Sequence, residues 1–132
     1  MRLWHVDLIA FLPKGQLLSQ WRELNSIFAK EDNHILINYI YEYPKEDLFI
    51  YTEMVIDEMK KRGYQIRTFE KMNKYFEELG AVEAKTPFMQ HHNKEYLEIC
   101  FYNLKEKYIR GQKDYDADKY HQLCMFVNNN QL

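Results

Sequence analysis

Arg22 and Glu23, side by side in the stretch QLLSQWREL, pair a guanidinium with a carboxylate. A carboxylate can shuttle protons and stabilise developing positive charge, and a guanidinium grips phosphate oxygens with a planar fork of donors. Taken alone, the pair reads as a solvated helix face. A second set is the run KKRGYQIRTFEKMNK, where tyrosine and phenylalanine alternate with cations. From Lys60 to Lys74 it holds six cations against one anion, Glu70. Such a run either complements the negative end of a helix or contacts phosphates.

Other chemistries find less support. His91 and His92 are adjacent, so on a helix they point about 100° apart and cannot share one ion. His5, His34 and His121 have no partner at ligand spacing, and no metal site is expected. His92, just before NKEY, falls near a helix start, where neutral imidazole is favoured. Cys100 and Cys124 match neither a CxxC pair nor a zinc spacing, so unpaired buried thiols in a reducing compartment are expected. There is no GxGxxG, no Walker loop and no GxSxG, hence no motif for a nucleotide cofactor or for serine hydrolysis.

The elements that position these residues read as helices. DLIAFL suggests a short helical turn capped by Asp7, after which Pro13 and Gly15 break the chain. A helix follows from about Gln16 to Ala29, with Leu17, Trp21, Leu24 and Phe28 on one face. Arg22 and Glu23 then fall on opposite outward flanks, each roughly 130° from the centre of that stripe. HILINYIYEYP reads as a buried extended connector. The next helix starts at Pro44, carries Glu46 and Asp47 near its positive end, and places Leu48, Tyr51, Val55 and Met59 at helical spacing. It ends in Lys60, Lys61 and Arg62 with Gly63 as a left-handed cap. TFEKMNKYFEELG is expected to close at Gly80 by the same device. NKEYLEICFYNLKEKYIRG supplies a long helix ending at Gly111, and DYDADKYHQLCMFV a last one before a fraying NNNQL tail. The expected fold is all-α, a compact single-domain bundle of about four main helices spanning 1–132.

Bulk composition agrees. Hydrophobic residues make up 46% of the 132 residues, enough for a core, and 4 glycines and 3 prolines favour long helices over many short strands. A net charge of -2 argues against nucleic-acid binding by total charge, yet the charge is segregated, and phosphates respond to local charge. No apolar run approaches the length that spans a bilayer, so no membrane partner and a cytoplasmic location are expected.

Together, LLSQWREL and IDEMKKRGYQI resemble the pyrimidine-dimer DNA glycosylase family, the ultraviolet-repair kind of endonuclease V. A phage member has an aromatic-Arg-Glu-Leu helix at the same distance from its start and a helix ending Lys-Arg-Gly-aromatic, like Lys61 to Tyr64 here. His34 fits the segment before that helix, and NLKEKY at 103–108 loosely matches a later one. The opening MRLWHVDLI resembles the bacterial branch more closely. The resemblance implies an all-α domain without metal or cofactor that acts on double-stranded damaged DNA, here as an expected monomer. It implies an N-terminal amine that attacks the sugar C1′, releases the base through a Schiff base and cuts the strand by β-elimination. Where the phage member exposes a threonine amine, residue 2 here is arginine, which blocks methionine removal, so the amine is that of Met1. An α-amine has a pKa of about 7.7 to 8.0, so more of it is unprotonated at neutral pH than of a lysine. By the same resemblance Glu23 is the catalytic carboxylate, and Arg2 and Arg22 hold phosphates. Lys60, Lys61, Arg62 and Arg67 are further DNA-binding candidates. Ser26 stands where the phage protein has a basic phosphate contact.

Two other readings stay open. One is a non-catalytic helical DNA- or protein-binding module on the same scaffold. The other is an abasic-site lyase without dimer recognition.

Overall fold

Leu3, Trp4, Val6, Leu8, Ile9 and Leu12 put more apolar surface into the start of the chain than a short surface helix can hide, and all six are buried. In the computed structural model, which describes residues 2–129, this segment passes through the middle of the molecule. A 3-10 helix, Val6–Phe11, contacts three of the helices that follow. Those helices are α1 (Lys14–Ala29), α2 (Lys45–Lys61), α3 (Glu70–Tyr75), α4 (Lys94–Ile109) and α5 (Ala117–Asn129), with a second 3-10 helix at Asn38–Glu42. The 3-10 helix at Val6–Phe11 packs on α2, α4 and α5, while α1 packs on α2 and α3. No strand occurs among the described residues, and four long helices make an all-α domain as expected.

The local devices are legible. Gly63 has φ +81°, and the Tyr64 N–H bonds back to Met59 O at 2.9 Å, closing α2 with a left-handed cap that a side chain would strain. Gly111, at φ +85°, ends α4 the same way, with Gln112 N–H on Lys107 O. The Asn93 side chain caps the start of α4 by accepting from Tyr96 N–H at 3.0 Å.

Five expectations need correction. The cap of the first 3-10 helix is His5, whose Nδ1 accepts from Asp7 N–H, so Asp7 lies in the first turn instead. Pro13 caps α1, but Gly15 lies inside it. The connector HILINYIYEYP is not extended: it turns at residues 35–37 and winds into a 3-10 helix, which keeps Ile37, Tyr39 and Ile40 buried. Helix α3 ends at Tyr75 and not at Gly80, because turns take over at Phe76. In the tail, Asn128 and Asn129 belong to α5, and residues 130–132 lie outside the described residues.

Candidate active site

Residues 2–5 belong to no helix, so their backbone groups need partners from elsewhere. Three helices each send one side chain. Gln20 of α1 accepts from Trp4 N–H at 2.8 Å and donates to Arg2 O at 3.0 Å. Tyr51 of α2 donates its single proton toward Trp4 O at 2.6 Å and Gln20 Oε1 at 2.8 Å. Tyr96 of α4 donates to Leu3 O at 2.6 Å. Gln20 and Tyr51 are fully buried. A polar amide at full burial survives because both its lone pairs and both its protons are used. The second proton of Gln20 goes to Glu23 Oε2 at 3.1 Å.

That last bond places the sequence-predicted carboxylate. Glu23 was expected on an outward flank, but the buried face of α1 includes Gln20 and Ile27 beside Leu17, Leu24 and Phe28. Including them turns the centre of the face, leaving Glu23 about 90° from it and Arg22 nearly opposite. Glu23 is half-buried under the N-terminal segment. Burial pushes its carboxyl above the ordinary range, against the downward pull of the Arg22 charge.

Glu23 faces a cleft of about 260 Å³ lined by Arg2, Trp4, Gln16, Ser19, Leu36, Asn103 and Lys107. The Arg2 guanidinium stands 5.9 Å from both the Trp4 and the Tyr96 rings, a cation–π setting that directs it. Arg22 is exposed on the rim, its Nη2 donating to Ser19 Oγ at 2.9 Å. The cleft therefore gathers Arg2 and Glu23, with Arg22 at its edge. Met1 lies outside the described residues. Asn103 and Lys107 of α4 were not singled out from sequence; four residues apart, they share one helix face, but only the tertiary fold turns that face toward Glu23. A larger concavity of about 870 Å³, lined by Tyr102, Asn103, Lys105, Glu106, Ile109 and Arg110, is the open outer face of α4 alone, with no second wall.

The cations of the second set do not line this cleft. Phe69 packs edge-on against Trp21 at 6.0 Å, and Lys60 Nζ lies 5.9 Å from the Phe69 ring. Trp21 and Glu23 are about 160° apart around α1, so the basic segment runs along the opposite flank. Lys60, Lys61 and Arg67 are exposed. Arg62 is not: its Nε donates to Glu58 Oε2 at 2.7 Å and its Nη2 to Ala10 O at 3.1 Å.

His5 and His92 are buried side by side with half-buried His91 against them, while His34 and His121 are exposed. His92 Nδ1 accepts from Val6 N–H at 3.1 Å, so the neutral ring carries its proton on Nε2 and donates it to Tyr39 at 2.6 Å. Burial, with the neighbouring His5 and His91, pushes its pKa down to about 3. No group of three or more potential metal ligands comes together among the described residues. Cys100 is buried, Cys124 half-buried, and neither is in a disulfide. No helix among the described residues is long and apolar enough to cross a membrane.

Comparison with known proteins places the chain in a family. No curated protein and no solved structure matches the chain. The family model for pyrimidine dimer DNA glycosylase matches residues 1–72, which hold Arg2, the whole of α1 with Glu23, α2 and most of the basic segment. With more than half its length matched, and with the Arg-Glu helix folded against its N-terminal segment, the chain belongs to the pyrimidine dimer DNA glycosylase family, a family of DNA repair.

Proposed function

We propose that residues 1–132 form one glycosylase domain that removes a base from pyrimidine-dimer DNA and then cuts the strand as a lyase. The Met1 α-amine is the nucleophile. Its lone pair forms a bond to C1′ while the glycosidic bond breaks, and the departing base takes up a proton. Opening of the sugar C1′–O4′ bond leaves a Schiff base. Glu23 stabilises the positive charge at C1′ and then removes a C2′ proton, so that the C3′–O bond breaks.

One observation supports this most: buried Gln20 holds the carbonyl of residue 2 and the Glu23 carboxylate with the two protons of one amide. The start of the chain and the carboxylate thus share one rigid support. Arg2, Arg22 and Lys107 supply positive charge for the flanking phosphates. Lys60, Lys61 and Arg67, with Arg62 behind them, extend that field along the other flank of α1. A helix about 10–12 Å across is bridged by a few nucleotides, so a duplex crossing at Arg22 reaches both sets. The working unit is taken as a monomer, and two unpaired cysteines fit the cytoplasm.

Borohydride trapping tests the reading. The chain with a native N-terminus is incubated with duplex carrying one pyrimidine dimer, or one abasic site. A covalent protein–DNA adduct is expected, lost on acetylating the N-terminus and lost in Glu23→Gln. No adduct, or trapping unchanged by Glu23→Gln, overturns it.

A further inference from the structure

Leu3 O is held differently from its neighbours. Gln20 of α1 and Tyr51 of α2, two helices packed on each other, take Arg2 O, Trp4 N–H and Trp4 O. Leu3 O, between them, is taken by the Tyr96 hydroxyl of α4 at 2.6 Å. The start of the chain is thus clamped from two helical layers, and Tyr96 is the second jaw. Its own place is fixed. The Asn93 side chain, capping α4, accepts from Tyr96 N–H at 3.0 Å, and the buried ring lies 4.9 Å from both His91 and His92. Burial pushes the Tyr96 phenol above its ordinary pKa, so the hydroxyl keeps its proton and donates. The Arg2 guanidinium stands 5.9 Å from the same ring.

We propose that Tyr96 is a positioning residue for the reaction at Glu23: its hydroxyl sets the first residues of the chain through Leu3 O, and its ring directs Arg2 into the cleft. The inference rests on the glycosylase reading and adds to it a residue from beyond the family match at 1–72. An amine one residue ahead of Arg2 takes its place from the backbone that follows it. Attack needs the reacting atoms within about 3.5 Å, and a misplacement on the order of 1 Å costs about a hundredfold in rate. With the Tyr96 hydroxyl gone, Gln20 and Tyr51 still tie residues 2–4 to α1 and α2, but the segment loses its bond to α4 and turns about the remaining edge. Glu23 stays on Gln20, and Val6 N–H stays on His92, so the carboxylate and the core behind the pivot keep their places. What is lost is the alignment of the start of the chain with Glu23.

The test uses the full chain with its native N-terminus. It measures single-turnover borohydride trapping on abasic duplex at saturating protein, together with the Kd for undamaged duplex. Tyr96→Phe, which loses the hydroxyl and keeps the ring, is expected to trap at least about tenfold more slowly, with Kd within about twofold of wild type. Tyr96→Leu, which loses the ring as well, is expected to trap as slowly and also to bind more weakly, since Arg2 is no longer directed. Tyr115→Phe is the control: the Tyr115 hydroxyl donates to Phe11 O at 3.1 Å, so the same change deletes the same kind of bond at the far end of the first 3-10 helix. Both Phe variants are expected to lower the unfolding midpoint, and Tyr115→Phe to trap like wild type. Wild-type trapping in Tyr96→Phe overturns the positioning role and leaves the glycosylase reading intact. Equal slowing in Tyr115→Phe refers the effect to stability and overturns the role as well. A wild type that neither cleaves dimer duplex nor traps on abasic duplex overturns the glycosylase reading, and the positioning role with it.

Discussion

Gln20 and Glu23, one turn apart on α1, are joined side chain to side chain, with the Gln20 amide donating to Glu23 Oε2 at 3.1 Å. The same amide donates to Arg2 O and accepts from Trp4 N–H. Gln20→Leu keeps the volume but leaves two backbone groups of residues 2–4, Arg2 O and Trp4 N–H, without partners. Each costs about 1–3 kcal/mol, so a loss on the order of 3 kcal/mol in urea unfolding is expected. Turnover should fall by more than the population of unfolded protein explains, because Glu23 loses its anchor. Unfolding unchanged within error contradicts the assignment.

The raised pKa of Glu23 fixes a sign. Burial favours the protonated carboxyl, so the folded pKa lies above the unfolded one. The stability tied to that protonated form is fully present below the unfolded pKa and is lost as pH rises through the folded pKa. Glu23→Gln removes the charge and keeps an acceptor for Gln20. It is therefore expected to be more stable than wild type at neutral pH, with the gain vanishing in acid. Activity should do the opposite, with wild-type kcat/KM falling on an acid limb placed above the ordinary carboxylate range. A variant less stable than wild type at pH 7 refutes the desolvation.

His92 gives the second pH dependence. Its folded pKa, down at about 3, lies below the ordinary histidine value, so between the two the unfolded chain binds a proton that the folded one refuses. Stability is then expected to fall as pH drops from about 6.5 toward 3, with His5, also lowered by burial, adding to the slope. Chemical unfolding across that window measures it. In His92→Gln the slope flattens, because the substitute does not titrate; an equal slope in that variant moves the effect elsewhere.

How far these features were legible depends on how local they are. The caps at Gly63 and Gly111 need only a left-handed residue after a helical run, and both stand as read. The apolar spacing of Leu48, Tyr51, Val55 and Met59 stands for the same reason. Gln20 was invisible, because a glutamine within a helix carries no sign that a distant tripeptide will need four hydrogen bonds. Glu23 was misplaced with it: the stripe was drawn through apolar residues alone, and the buried amide that turns the face was counted as polar surface. Asn103 and Lys107 lie 80 and more residues from Glu23, and only the packing of α4 on the first 3-10 helix brings them to it.

The start of α1 carries a long-range cap. Pro13 offers no side-chain acceptor, and Asp114 instead receives the Gly15 N–H from 99 residues away, while Gln112 donates to its other oxygen at 2.6 Å. Burial pushes the Asp114 carboxyl up, but the bonds from Gln112 and Gly15 hold it below the usual range. A Cβ at Gly15 would come within 2.7 Å of Asp114 Oδ2. Asp114→Ala is expected to cost about 1 kcal/mol. Gly15→Ala should cost a similar amount by expelling the carboxylate, and the double variant little more than either. Additive losses in that cycle break the link.

Arg62 and its neighbours separate structure from DNA binding. Arg62 and Glu58, each 12% exposed, form an ion pair, and the guanidinium also reaches Ala10 O at the end of the first 3-10 helix. Arg62→Ala strands a nearly buried carboxylate, while Ala10 O keeps the Lys119 ammonium at 3.3 Å, so its first effect is a loss of stability of about 1–3 kcal/mol. Lys61 and Arg67 are exposed, and neither appears in an ion pair among the described residues. Lys61→Ala and Arg67→Ala are expected to leave the unfolding midpoint in place and to weaken binding to damaged and undamaged duplex alike. Each should also reduce the salt slope of log K by about one. Binding isotherms at several salt concentrations decide the matter, and a slope unmoved by both changes takes the basic flank of α1 out of the DNA interface.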